Sequence, residues 1–257
     1  MRIANRHRLR LSTLAVLGIA LAGGAAGAQE SKVPWTYDGP DGPDHWGDLK
    51  AEYAACANGA MQSPIDLAQA DATGTIAFTV AYAAVPLTLW NNGRTVQIVA
   101  KDGGGLSEMG VDYRLLQVHF HAPSEHVVKG EHAPLEAHFV HQAADGTLAV
   151  LGVLFAEGAE NPTLAALLEH LPETPGDPTT VAGATIDPGG LLPADRGIYR
   201  YMGSLTTPPC SEGVHWHVVA ARATASKAQI ERLARVLHGN ARPVQPLNHR
   251  LLVAPAR

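Results

Sequence analysis

QVHFHAPSEHVVKGEHAPLEAHFVH, the stretch from Gln117 to His141, predicts two strands joined by a turn at Gly130–Pro134. Successive side chains of a strand point to opposite faces of its sheet. The polar side chains Gln117, His119 and His121 therefore share one face of the first strand. Its other face is apolar and carries Leu116, Val118 and Phe120.

The second strand follows the same alternation, with Glu136, His138 and Val140 on one face. Its opposite face carries Leu135, Ala137, Phe139 and His141. If the two strands are antiparallel neighbours, the imidazoles of His119, His121 and His138 converge. Three neutral nitrogen ligands without a fourth protein ligand are typical of a catalytic zinc site.

A metal-bound histidine needs an acceptor for its second ring nitrogen. Gln117 and Glu136 each stand two residues before a candidate ligand on the same face, so we expect them to supply it. The H-x-H spacing alone is a weak signal, because paired histidines also occur on exposed strands. The E-x-H of the second strand, in matching parity, favours the zinc site.

The remaining histidines have simpler interpretations. His126 and His141 fall on the opposite parity or beyond the turn, which predicts hydrogen-bonded roles in the core or behind the ligands. His132 lies in the turn and is expected to be solvated. His215 and His217 form a second H-x-H, for which we expect structural roles because no acidic partner is expected nearby.

Composition predicts the fold class. The chain has 257 residues, of which 46% are hydrophobic and 5% aromatic, with 26 glycines and 18 prolines. Many turns and short strands fit this composition better than a helical bundle. We expect a mainly β (α+β minor) single domain, built on a large twisted, mostly antiparallel central sheet with a few short surface helices.

Individual elements follow from local signals. Leu148–Phe155 is apolar throughout, which predicts a strand buried on both faces. Asn161 precedes Pro162 as a helix N-cap, and Ser226–Gln229 is a capping box. Further predictions are a helix at Leu49–Asn58, strands at Thr75–Tyr82, Pro86–Asn91, Thr95–Ala100, Ile198–Leu205, Val214–Arg222 and within Arg242–Leu252, a loop at Lys101–Gly110, and a long connection at Leu171–Pro193.

The first 28 residues are predicted to be a secretory signal peptide. Four arginines precede the apolar run Leu11–Ala22, and Ala26-Gly27-Ala28 is a small-residue cleavage site. Cleavage after Ala28 leaves residues 29–257 as the functional domain, in the periplasm or secreted. The apolar run is short for a membrane span, although a retained anchor is an alternative.

Charge and cysteines fit an exported protein. Loss of the four arginines changes the net charge from −5 to −9, with 15 basic against 24 acidic residues. Such an acidic surface argues against nucleic acid or anionic membrane as a partner. Cys56 and Cys210 form an even pair, so a disulfide is expected, with two free buried thiols as the alternative.

Eight sequence motifs follow one another between about Trp35 and Leu252: WTY…GPDHW, QSPID, NNG, QVHFHAPSEH, LEAHFVH, LAVLGVL, GSLTTPPC and RPVQPLN. In this order they resemble the α-class carbonic anhydrases. The resemblance implies that His119, His121 and His138 bind Zn²⁺, with water or hydroxide in the fourth position. It also implies that Thr206 accepts a hydrogen bond from the zinc hydroxide and donates one to Glu125.

The resemblance assigns the surrounding residues as well. Thr207 is similar to the residue beside substrate. The apolar wall for carbon dioxide is implied to be Val140, Val150, Leu205, Val214 and Trp216. The acceptors behind the ligands are implied to be Gln117, Glu136 and the backbone carbonyl of Asn240, and the polar wall that orders water to be Tyr37, Asn92 and Gln97, with Arg94 beside them.

One position departs from the family. After Asn-Asn-Gly the family commonly has a histidine that carries the proton from the zinc site to bulk water, and this chain has Arg94. An arginine stays protonated and cannot alternate between acid and base. Proton transfer is therefore expected to be slow or to depend on buffer.

The implied activity is zinc-dependent reversible hydration of carbon dioxide to bicarbonate and a proton, by a monomer or homodimer with no membrane partner after cleavage. One alternative is a catalytically weak member that acts as a zinc-containing binding module, although such members usually lose a zinc histidine. A zinc esterase is another. A structural or storage metal protein would need a closed four-ligand site.

Overall fold

A sheet of twelve strands dominates residues 35–256, the part of the chain that the computed structural model describes. These residues belong to one compact unit, Val33–Arg257, and the predicted signal peptide lies outside them. The strands are β1 Ala72–Gly74, β2 Phe78–Tyr82, β3 Val85–Asn91, β4 Val96–Val99, β5 Gly104–Glu108, β6 Val111–His121, β7 Val127–Val128, β8 Glu131–His132, β9 Leu135–Ala143, β10 Leu148–Glu157, β11 Thr179–Ile186, β12 Ile198–Ser204, β13 Glu212–Ala225 and β14 Val253–Pro255.

The sheet has the strand order β1-β14-β12-β13-β10-β9-β6-β4-β3-β11, and β5 pairs with both β2 and β6. The strands β7 and β8 form a separate small sheet. Within the described residues, β1 with β14 and β10 with β13 are the parallel pairs of strands. The predicted fold class, a mostly antiparallel sheet with minor helix, is confirmed.

Helices are short and lie outside the sheet. They are α1 Trp46–Leu49, α2 Ala55–Asn58, α3 Pro162–Glu169 and α4 Lys227–Leu237, with 3₁₀ turns at Gly39–Asp41, Ala51–Tyr53, Leu67–Gln69 and Pro188–Leu191. Both predicted caps are confirmed: Asn161 accepts from the first turn of α3, and Ser226 forms a capping box with Gln229. None of the helices within residues 35–256 is long and apolar enough to cross a membrane.

The predicted helix at Leu49–Asn58 is wrong as one element. Lys50 has an extended backbone, with φ −161° and ψ 142°, and separates α1 from the turn that follows. The tail Arg242–Leu252 is irregular, and β14 begins only at Val253.

Two predicted loops contain strands. β5 lies within Lys101–Gly110, and β11 lies within Leu171–Pro193. The glycines that suggested a loop instead permit close pairing, because a Cβ on Gly104 or Gly105 would collide with backbone oxygens of the neighbouring strands.

The core packs on the face of the sheet opposite the histidine face. On β6 this face carries Leu115, Val118 and Phe120, all fully buried. The prediction had placed Leu116 there, but the pairing of β6 with β9 shifts register between Leu115 and Gln117. A β-bulge of this kind inverts the alternation of side chains on one side of it. β10 is buried along most of its length, as predicted.

Candidate active site

The register of β6 against β9 brings the three predicted ligands together. His119 lies directly opposite His138, and His121 follows two residues later on the same strand. The ring centroids of His121 and His138 are 4.5 Å apart, and those of His119 lie 5.0 Å and 5.2 Å from them. One nitrogen from each ring lies within 4.8 Å of the other two.

The second nitrogen of each ring has an acceptor. Nδ1 of His119 is 2.8 Å from Oε1 of Gln117, and Nδ1 of His121 is 2.7 Å from the backbone oxygen of Asn240. Nε2 of His138 lies 2.9 Å from Oε1 of Glu136, although not in the alignment of a regular hydrogen bond. Because these oxygens accept, the facing nitrogens carry the hydrogen. Nε2 of His119, Nε2 of His121 and Nδ1 of His138 keep free lone pairs.

The electrostatics of the site suit a metal ion. Burial lowers the pKa of His119 and of His121, so both rings stay in the neutral form that binds metal. Burial acts in the same direction on His138, but the adjacent Glu136 carboxylate outweighs it and raises the pKa of that ring. Nε2 of His121 is buried with no hydrogen-bond partner within the described residues. A buried nitrogen lone pair without a hydrogen-bond partner suits a metal ligand.

Glu136 holds the loop that follows β6 to the ligands. Its Oε2 accepts from the backbone N–H groups of Glu125 and His126, at 2.8 Å and 2.9 Å, and its Oε1 is 2.7 Å from Nδ1 of His126. Burial opposes ionisation of Glu136, but His126 and His138 outweigh it and lower the pKa of the carboxyl. Gly152 makes room, since a Cβ there would lie 3.0 Å from Oε1 of Glu136.

Glu125 and Thr206 are both buried. Oε1 of Glu125 accepts from the backbone N–H of Arg242 at 2.9 Å. Its Oε2 lies 3.5 Å from Nε2 of His121 and has no hydrogen-bond partner within residues 35–256. The hydrogen bond from Thr206 to this oxygen therefore stays a prediction.

One cluster unites the five residues predicted as the apolar wall. Val150, Val214 and Trp216 are buried in it, and Val140 and Leu205 pack against it. The Trp216 ring lies 4.9 Å from the ring of His138. The apolar cluster thus adjoins a candidate metal ligand.

A cavity of about 370 Å³ contains most of the predicted polar wall, namely Tyr37, Asn92 and Arg94. The Arg94 guanidinium stacks on Trp35, 4.2 Å from its ring centre. Burial and then the Glu125 carboxylate raise the pKa of Tyr37. Gln97 lies outside the cavity lining, opposite His119 in the pairing of β4 with β6.

Comparison with known proteins identifies the family. The model of eukaryotic-type carbonic anhydrases matches residues 41–255. The chain belongs to the α-class carbonic anhydrase family. A carbonic anhydrase of Nostoc sp. is 40% identical over 96% of each chain. The α-carbonic anhydrase of Thermovibrio ammonificans, solved with sulfanilamide, is 46% identical over 87% of this chain and 100% of its own, with a TM-score of 0.82.

A plant relative has another name. Dioscorin dioA3 of Dioscorea japonica is 38% identical over 86% of this chain and 85% of its own. The relatives named carbonic anhydrase nevertheless mark this chain as an enzyme of the carbonate dehydratase class.

Sequence reasoning missed three contributors to this carbonic anhydrase site. Arg242 is buried, and its backbone fixes Glu125. The hydroxyl oxygen of Tyr201 lies 2.8 Å from Nε2 of His126. Gly152 leaves space for the side chain of Glu136. Arg242 donates four hydrogen bonds, one from its backbone and three from its guanidinium. Its place in the RPVQPLN motif was the one sequence signal that could have indicated such a role.

His126 and His141 have the predicted hydrogen-bonded roles, with His141 2.8 Å from the Tyr82 hydroxyl. The premise for His215 and His217 was wrong, because Glu108 of β5 lies 2.9 Å from one and 3.1 Å from the other. Burial opposes ionisation of Glu108, but His217 and then His215 outweigh it and lower the pKa of the carboxyl to about 2. An acidic partner distant in sequence cannot be found from local spacing.

Proposed function

We propose that this carbonic anhydrase catalyses the reversible hydration of carbon dioxide to bicarbonate and a proton, with Zn²⁺ held by His119, His121 and His138. The observation that carries the proposal is the contact between the imidazole cluster and the apolar cluster through Trp216 and His138. Carbon dioxide is uncharged and apolar, so an apolar surface next to a nucleophile suits it better than a charged clamp.

The donor set fits zinc. Three imidazoles, each with an oxygen 2.7 to 2.9 Å from its second nitrogen, are typical of a catalytic rather than a structural zinc site. As is established for carbonic anhydrases, bound Zn²⁺ lowers the pKa of water to about 7 and so supplies hydroxide at neutral pH.

The protein's own groups orient the reaction. With Oε1 fixed by Arg242, an ionised Glu125 has Oε2 left as an acceptor for the Thr206 hydroxyl. A hydroxyl has one hydrogen, so Thr206 must then accept from the attacking hydroxide and turn a lone pair of that oxygen toward the substrate. Thr207 lies beside it, where we expect bicarbonate to bind.

Stopped-flow measurement of carbon dioxide hydration on the zinc-loaded protein tests the proposal. We expect acceleration well above the buffer background, and an ester substrate followed in parallel should turn over far more slowly. No acceleration, with zinc stoichiometrically bound, would leave the binding-module alternative. Faster ester than carbon dioxide turnover would favour the esterase.

Arg94 makes proton release the expected slow step. In weakly buffered solution, turnover should rise as imidazole is added, because the buffer supplies the base that arginine cannot be. The Arg94→His variant should have a higher turnover at low buffer and a smaller response to imidazole. The measurement is kcat at saturating carbon dioxide against imidazole concentration for both proteins. An equal buffer dependence would contradict the prediction.

We also propose that the protein is exported and acts as a monomer or homodimer. A disulfide between Cys56 and Cys210 fits an oxidising compartment, either the periplasm or the outside of the cell. The acidic mature chain argues against nucleic-acid partners, and we propose a monomer or homodimer that acts on carbon dioxide and bicarbonate.

A further inference from the structure

The cavity lined by Arg94 is also lined by an imidazole, that of His238. His238 follows the last residue of α4 and lines this cavity. It is exposed to solvent, and its ring makes no hydrogen bond or ion pair within residues 35–256. Around it the cavity is lined by Trp35, Tyr37, Asp38, Asn92 and Arg94.

Imidazole differs from the other side chains of this lining in proton chemistry. Arginine keeps its proton at all ordinary pH values. Burial raises the pKa of the Tyr37 phenol well above 10. Imidazole alone among these side-chain types both gains and loses a proton easily near neutral pH. The charged and titratable groups that face it are Asp38 and Tyr37 of the N-terminal segment and Arg94 of the turn after β3, while Arg235 lies on the last turn of α4 itself.

The segment that carries His238 is joined to the metal site. Asn240, two residues later, accepts the hydrogen of His121 Nδ1 through its backbone oxygen at 2.7 Å. Its side-chain amide donates to the backbone oxygens of Arg94 and Phe120, both at 2.9 Å. Asn240 therefore links the segment that carries His238 to the backbone of Arg94 and to the ring of His121.

The backbone of His238 adds a second observation. Its φ of 54° and ψ of 32° lie in the left-handed region, at a helix C-terminus where glycine is the favoured residue. A β-carbon is unfavourable in this conformation. A residue in an unfavourable backbone conformation, whose ring makes no hydrogen bond or ion pair within residues 35–256, is a candidate for a functional role.

We propose that His238 is the group that carries the proton between the active site and bulk solvent. The inference rests on the proposed function. Hydration of carbon dioxide by water yields bicarbonate and one proton. That proton is transferred to a ring nitrogen of His238 and forms the imidazolium, which then gives it to a buffer base. No other bond changes in these two steps.

His238→Gly is the sharpest test, because glycine suits the left-handed backbone and the variant should melt at the same or a higher temperature. In weak buffer we expect kcat to fall by about 10²-fold, the lower end of the range typical of proton-transfer groups. The ratio kcat/KM should not change, since proton release follows the conversion of carbon dioxide. Imidazole should restore kcat, and His238→Asn should behave alike.

Two further measurements keep the inference separable from the proposed function. Zinc stoichiometry, measured by atomic absorption without reliance on turnover, should be unchanged in His238→Gly, whereas a merely structural role of this segment behind His121 would lower it. The exposed His249 provides the matched control, and His249→Asn should leave kcat and its buffer dependence unchanged. If the wild type hydrates carbon dioxide but His238→Gly has the same kcat in weak buffer, only the role of His238 is overturned. A wild type without activity would overturn both proposals.

Discussion

Replacing His138 by alanine is expected to reduce zinc affinity by more than about 100-fold and carbon dioxide hydration by at least about 10³-fold. The substitution removes one of three ligands and leaves Glu136 with one imidazole partner in place of two. Zinc stoichiometry after dialysis, measured by atomic absorption, and stopped-flow hydration are the two measurements.

Two companion variants locate the cause of the loss. Glu136→Gln keeps all three ligands and replaces the carboxylate behind His138 by a neutral amide, so zinc affinity should fall by about 10- to 100-fold. His249→Ala removes an exposed histidine and should change neither quantity. Retention of full zinc stoichiometry by His138→Ala would mean that the metal site lies elsewhere.

The positions of the candidate zinc ligands were predictable because side chains alternate between the two faces of a strand. Parity within the two strands was enough to place three imidazoles on one face, and the register of His119 against His138 realises that expectation. Parity failed at Leu116, where a bulge shifts the register, because an extra residue in one strand leaves no local mark in the sequence. The glycine-rich strand β5 was missed because its sequence carries a misleading local signal: glycine usually indicates a turn.

Contacts between distant segments were not predictable from local patterns. Glu108 meets His215 and His217 only because the β5–β6 hairpin folds across the sheet. The buried guanidinium of Arg242 donates to the backbone oxygens of Cys56 and Ser63 and to Oε1 of Gln62. Family motifs identified such residues as a group, but the partner of each could be known only from the fold.

Removing the disulfide by Cys56→Ser with Cys210→Ser is expected to lower the free energy of unfolding by about 4–5 kcal/mol. The bridge spans 154 residues of sequence, so its loss frees a large loop in the unfolded chain. The melting temperature should fall by about 8–20 °C for a chain of this size. Equilibrium unfolding in urea of the oxidised protein and the variant measures the difference.

The same variant should separate catalysis from metal binding. Cys210 ends the loop that carries Thr206, and Arg242 joins the Cys56 segment to Glu125, so both members of the proposed hydrogen-bonded pair depend on this anchor. The three imidazoles stand on β6 and β9, which the sheet holds independently of the bridge. We therefore expect kcat to fall while zinc stays stoichiometric. Loss of zinc together with activity in a still folded variant would contradict this division, because it would mean that the bridge also fixes the strands that carry the ligands.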